Sequence, residues 1–208
     1  MSAADHGAAR RQTAAPAGRR RALLLGGLAG ACSGLLPAPP AAAQAAAPPA
    51  APPQPPELAT ELPAARWRGT GTLRFFGLHI YDSQLWSADA ITADGAAQPL
   101  ALALVYARAL VGEQIASRSL KEMRRIGEVT DAQAARWLPA MTRLFPDVQA
   151  GDRLTGIQRP AVSTRFYLNG KLRGDVDDAD FTRLFFGIWL SPRTSEPRLR
   201  EQLLGGRA

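Results

Sequence analysis

The 208-residue chain has one cysteine, Cys32, and two histidines, His6 and His79. Only His79 lies beyond the first 56 residues. A single cysteine excludes a disulfide within the chain. From residue 57 onward there is no thiol nucleophile and no thiolate metal ligand. A Ser-His-Asp arrangement would have to use His79, and a histidine-rich metal cluster is excluded. No metal site and no cofactor follow from the residues. The chain also lacks a long apolar run. The run from Ala22 to Leu36 is shorter than the about 20 residues a helix needs to cross a hydrocarbon core.

A strongly basic domain is missing too. The chain carries 25 basic and 18 acidic residues, but residues 1–56 contribute five arginines and one acid. Residues 57–208 therefore hold 20 basic and 17 acidic residues, an ordinary globular surface rather than a nucleic-acid footprint.

What the N-terminus does have is order. Arg10, Arg11, Arg19, Arg20 and Arg21 precede the apolar run, and the small-residue stretch Ala41-Ala42-Ala43-Gln44-Ala45 follows it. That is the layout of a cleavable export leader, residues 1–45, cut after Ala43 or Ala45, and it predicts a periplasmic protein. Two refinements stay open. Arg20-Arg21-Ala22-Leu23-Leu24 resembles a twin-arginine signal, and an Arg-rich secretory leader reads the same way. Ala29-Gly30-Ala31-Cys32 resembles a lipoprotein box, which would make Cys32 a lipid anchor. Residues 46–63 are rich in Ala and Pro and are expected to be a disordered linker. One domain, residues 64–208, is left to carry function.

Within it, residues 67–76 and 78–86 read as strands with a bend at Gly77, and residues 99–107 as a central strand apolar on both faces. Helices are expected at 113–126 and at 131–145, the second capped by Asp131 and stopped by Pro146. Strands follow at 153–159 and 162–169. Asn169-Gly170 is a type I′ hairpin signal leading into Lys171–Val176. Asp177 or Asp178 caps a helix whose stripe is Phe181, Leu184, Phe185, Ile188 and Trp189. A last helix lies near 196–204. The class is α+β: a mainly antiparallel sheet with helices packed on one face.

These landmarks carry a resemblance. Gly69-Thr70-Gly71-Thr72, Gly77-Leu78-His79-Ile80-Tyr81-Asp82, Tyr106-Ala107-Arg108, Gly112-Glu113-Gln114, Phe145-Pro146-Asp147-Val148 and Phe185-Phe186-Gly187-Ile188-Trp189 together resemble the chalcone isomerase family, in its bacterial exported branch. The resemblance implies an open-faced sandwich with a cleft between sheet and helices. The plant enzymes close a flavanone ring by attack of a phenolate on an enone. Non-catalytic relatives hold a fatty acid through an arginine and a tyrosine. The enzymes' strand threonine falls on Phe76, their helix tyrosine on Ile115 and their lysine on Arg118. Their arginine corresponds loosely to Arg74. Two hydroxyls are lost, so no catalytic residue is assigned.

Arg74, Arg118, Tyr81 and Tyr106 are the candidate ligand-binding residues. Arg74 reads either as an inward cation between Leu73 and Phe75 or as an outward surface arginine. Arg118 reads as a ligand cation or a solvated helix position, and each tyrosine as a donor or as packing. His79 is expected on the outer face. Asp175, Asp177, Asp178 and Asp180 lack the spacing of a calcium loop and fit helix capping better.

Three functions remain. The first is binding of a small amphipathic anionic ligand, such as a fatty acid. The second is isomerase or intramolecular-lyase chemistry with altered residues. The third is an envelope structural or interaction role with no cavity. The residues leave the oligomeric state open. Intact-mass measurement of the processed protein is expected to show a new N-terminus after Ala43 or Ala45. A mass consistent with an acylated Cys32 would replace that reading with a lipoprotein.

Overall fold

Residues 50–92 and 95–206 are described by the structure, a computed structural model. Arg20, Arg21, Cys32 and the expected cleavage sites lie outside them. Six strands form one antiparallel sheet in chain order: β1 (Arg66–Phe75), β2 (Leu78–Ser87), β3 (Leu100–Tyr106), β4 (Arg153–Arg159), β5 (Ser163–Leu168) and β6 (Lys171–Val176). The helices are α1 (Leu58–Glu61), α2 (Gly112–Ile126), α3 (Asp131–Leu144), α4 (Ala179–Leu190) and α5 (Pro197–Leu203). The fold is α+β, as the patterning implies.

Each element has a local cause. In β3, apolar residues on both faces make a buried strand, with six of its seven residues buried. Leu102 and Leu104 enter the main core, and Ala101 packs on the other side. Asn169 and Gly170 both take positive φ, 50° and 83°, closing the β5–β6 hairpin. Asp178 caps α4 by accepting from the Phe181 amide at 3.0 Å. The cap of α3 is Thr130 rather than the expected Asp131. Its side chain accepts from the Gln133 amide, and Gln133 accepts from the Thr130 amide in return. This reciprocal pair satisfies two orphan amides at once, which a lone Asp131 cannot do.

Helices α2 to α5 cover one face of the sheet. The stripe on α4 meets Phe145 and Phe166 there. At the β1 edge, Gly69 and Gly71 let α5 come close. A Cβ at Gly69 would stand 2.3 Å from the Gln202 carbonyl, and one at Gly71 would stand 2.7 Å from the Leu199 carbonyl.

The other face departs from expectation. Residues within the expected linker, 46–63, pack on the sheet. Leu58 is fully buried with Trp86, Ala101 and Ile157. Glu57 meets Arg153 at 3.2 Å. The Glu61 carboxylate takes Arg159 and Arg165 at 2.8 Å and the Tyr167 hydroxyl at 2.7 Å. Arg165 also pairs with Asp175. Composition hides this strap because its partners lie about a hundred residues away in sequence. The described residues, 50–92 and 95–206, belong to one compact unit.

Burial alone would raise the Glu61 carboxyl. Hydrogen bonds from Arg165, Tyr167 and Arg159 outweigh it and lower the group from 4.5 to about 2. Its stabilising effect is thus complete above pH 4.5 and is lost as pH falls toward 2. Glu61→Gln is expected to cost about 1–3 kcal/mol at neutral pH, read by urea denaturation. The difference between Glu61→Gln and the native protein should shrink as the titration descends through that window.

Candidate functional site

The inner face of the sheet and the helices do not meet everywhere. Between them lies a cavity of about 340 Å³, near the lower end of the usual range for ligand pockets. The sheet supplies Leu73, Ile80, Tyr81, Leu104, Tyr106 and Leu154 as one wall. Helix α2 supplies Ile115, Arg118, Ser119 and Glu122, and α4 supplies Phe185, Ile188 and Trp189. Ser195 and Glu196, just before α5, close one side. The sequence spacing explains the α2 group: positions 115, 118, 119 and 122 share one helical face.

A bulge shapes the sheet wall. Leu73 pairs with Tyr81 and Arg74 with His79, so Ile80 is an extra residue on β2. Both Ile80 and Tyr81 then face the cavity.

Two tyrosines form the polar interior. Their rings lie edge to face, with centroids 6.0 Å apart. The Tyr81 hydroxyl accepts from Trp189 Nε1 at 3.0 Å, which leaves its own proton for another acceptor. The Tyr106 hydroxyl is buried with no hydrogen-bond partner among the described residues. Burial pushes both phenols above their ordinary ionisation range, so both are neutral donors at any physiological pH.

A charged group lies beside them. Arg118 pairs with Glu122 at 2.9 Å, and Ser195 donates to the second oxygen of that carboxylate at 2.9 Å. The guanidinium also stands 5.9 Å from the centre of the Phe75 ring. Glu196 is raised by burial, opposed by Arg118 and reinforced by Glu122. Arg118, Glu122 and Glu196 all act electrostatically on Tyr81, so hydroxyls and charges belong to one site.

Three of the four candidate residues therefore come together: Tyr81, Tyr106 and Arg118. Arg74 does not join them. It is exposed on the outer face opposite His79, and its guanidinium reaches the Gly77 carbonyl at 3.5 Å. Leu73 and Phe75 take the inward positions, and period-two alternation turns Arg74 out. Ile115 does line the cavity, whereas Phe76 sits exposed at a hairpin tip. The sequence reading missed Glu122, Ser195, Glu196 and the Trp189–Tyr81 bond. The i, i+4 spacing of Arg118 and Glu122 was a usable signal for the first. The aspartates read as caps have structural partners: Asp175 holds Arg165, and Asp178 holds the α4 amide and Trp137 Nε1.

An antiparallel sheet and a helical layer with an apolar cavity between them define an α+β domain of open-faced sandwich form. Residues 67–205 match the chalcone isomerase-like family, and the chain belongs to that family. An uncharacterised protein of Haemophilus influenzae is 32% identical over 145 residues, which is 69% of this chain and 70% of that protein. A crystal structure of a fatty-acid binding protein from Arabidopsis thaliana has a similar fold, with a TM-score of 0.55 at 12% identity. The likeness covers 68% of this chain and 87% of that one.

Tyr106→Phe removes a buried hydroxyl that has no partner among the described residues. It is expected to leave stability unchanged or to raise it by up to about 1 kcal/mol. Thermal or urea unfolding of the ligand-free protein measures this.

Proposed function

We propose that this chain is an exported, periplasmic carrier that holds a small amphipathic acid, of the fatty-acid class, without transforming it. The observation that carries the reading is the Tyr106 hydroxyl, buried and unpaired among the described residues at the wall of an apolar cavity. A buried polar group without a partner is costly, and a ligand oxygen placed there removes the cost. Tyr81 offers a second proton to the same head group.

Arg118 supplies the charge. Its contact with Glu122 uses one of five N–H donors, which leaves others for an entering carboxylate. Burial raises the Glu196 carboxyl above its ordinary range, and the Arg118 guanidinium opposes that rise. The hydrocarbon part would lie against Leu104, Ile115, Phe185 and Ile188. A non-catalytic role is favoured by Phe76 and Ile115, which cannot donate a proton where the resemblance expects hydroxyls. The similar fold of a fatty-acid binding protein supports the same reading. The leader residues support export.

Organic-solvent extraction of protein purified without detergent is expected to release a long-chain acid, identified by mass spectrometry. A fluorescent fatty acid should bind the extracted protein. Tyr106→Phe should weaken that binding by roughly five- to tenfold. No extracted lipid together with no fatty-acid binding overturns the proposal.

A further inference from the structure

The β1–β2 hairpin ends in an unusual tip. Its two turn residues are Phe76 and Gly77, with φ of 47° and 78°. Such a turn favours glycine, asparagine or aspartate, because a bulky side chain at positive φ is strained. Phe76 accepts that strain and is also 91% exposed. Neither its backbone nor its burial within the domain explains the residue. Strain at a surface position points to a function.

The tip is not alone. Phe75 and Leu78 beside it are half exposed, and Val111, at the start of α2, is exposed as well. The Ala107 amide bonds the Ile80 carbonyl, so the segment leading to Val111 lies at the same end of the sheet. Phe75 and Ile80 also line the cavity, which places this apolar rim at the cavity's own edge.

The charges nearby have a sign. Arg74, beside Phe75, and Arg108, in the loop before α2, are exposed and form no ion pair among the described residues. Arg118 lies over Phe75, already paired with Glu122. Of the acids at this end, Asp82 is bonded to Thr72 and His79, Asp147 caps the Gly112 amide, and Asp152 accepts from the Gln149 amide and Asn169. Glu113, in the first turn of α2, is exposed. The two unpaired arginines give the rim a positive flank. Exposed aromatics between unpaired arginines match the interface of a bilayer with anionic head groups.

We propose that the Phe75–Leu78 tip inserts into the surface of an anionic lipid bilayer, so that the cavity edge meets the membrane from which an amphipathic ligand is taken up or to which it is returned. This role for the tip rests on the ligand reading above. It also adds a docking surface that the ligand reading does not require.

The test uses the full chain with a Phe76→Trp reporter, and a Val162→Trp reporter in the exposed β4–β5 turn at the other end of the sheet. Both are mixed with vesicles of phosphatidylcholine and phosphatidylglycerol in equal parts, containing brominated lipid. Subtracting the quenching of the unsubstituted protein removes the other tryptophans and any contribution of the leader. Quenching at position 76 and not at 162, weakened by high salt, is the expected result. In the Phe76→Trp reporter, Arg74→Glu with Arg108→Glu should weaken vesicle binding by roughly tenfold or more. No quenching of the Phe76→Trp reporter, or equal quenching at 76 and 162, overturns the proposal, including when a protein is later found on the tip. Quenching at 76 with neither extractable ligand nor fatty-acid binding sustains docking and removes the carrier reading. Extractable ligand without quenching removes docking and leaves the carrier reading intact.

Discussion

Phe185 is the contact on which the inner layer depends. Its ring lies within 6.0 Å, centroid to centroid, of Phe145, Phe166, Phe181, Phe186 and Trp189. These rings come from β5, α4 and the end of α3, so one side chain ties sheet and helices together. Stacked and edge-on aromatic pairs have preferred separations, which makes the cluster a spacer as well as a core. It holds α4 at a fixed height above the strands. Where the aromatic packing ends, at Phe145, Phe185 and Trp189, the cavity begins.

The polar groups of that cavity divide by depth of commitment. Trp189 fixes the Tyr81 oxygen, and Ser195 and Arg118 fix Glu122. Those bonds would survive with or without a guest. Tyr106 has no such bond among the described residues, and Arg118 has donors to spare. A scaffold of satisfied groups thus holds a few unsatisfied ones in place, which is how a site keeps its shape while empty.

Much of this was legible from the chain alone. The strands were readable because alternation, glycines and Asn169-Gly170 act locally. The α4 stripe was readable because one helical face carries almost all its aromatics. Arg118, Tyr81 and Tyr106 could be named, yet whether they faced a common space could not, since that depends on the β2–β3 register that sets Tyr81 opposite Tyr106 and on how α2 packs over the sheet. Arg74 shows the same limit: alternation puts neighbours on opposite faces but does not say which face is inside. Glu196 and Ser195 sit in a loop with no periodicity to mark them. The strap at 57–61 was hidden by composition, because Ala/Pro-rich flanks read as linker while Leu58 and Glu61 find partners only in three dimensions.

That strap also orders events in time. Glu61 stands near the start of the domain, and Arg159, Arg165 and Tyr167 stand on its fourth and fifth strands. Closing a contact across about a hundred residues must wait until β4 and β5 exist and have paired. During synthesis, then, the first residues of the domain stay untied until β4 and β5 have emerged. A chain fastened this way stays loose at its leading end until the fourth and fifth strands arrive to hold it.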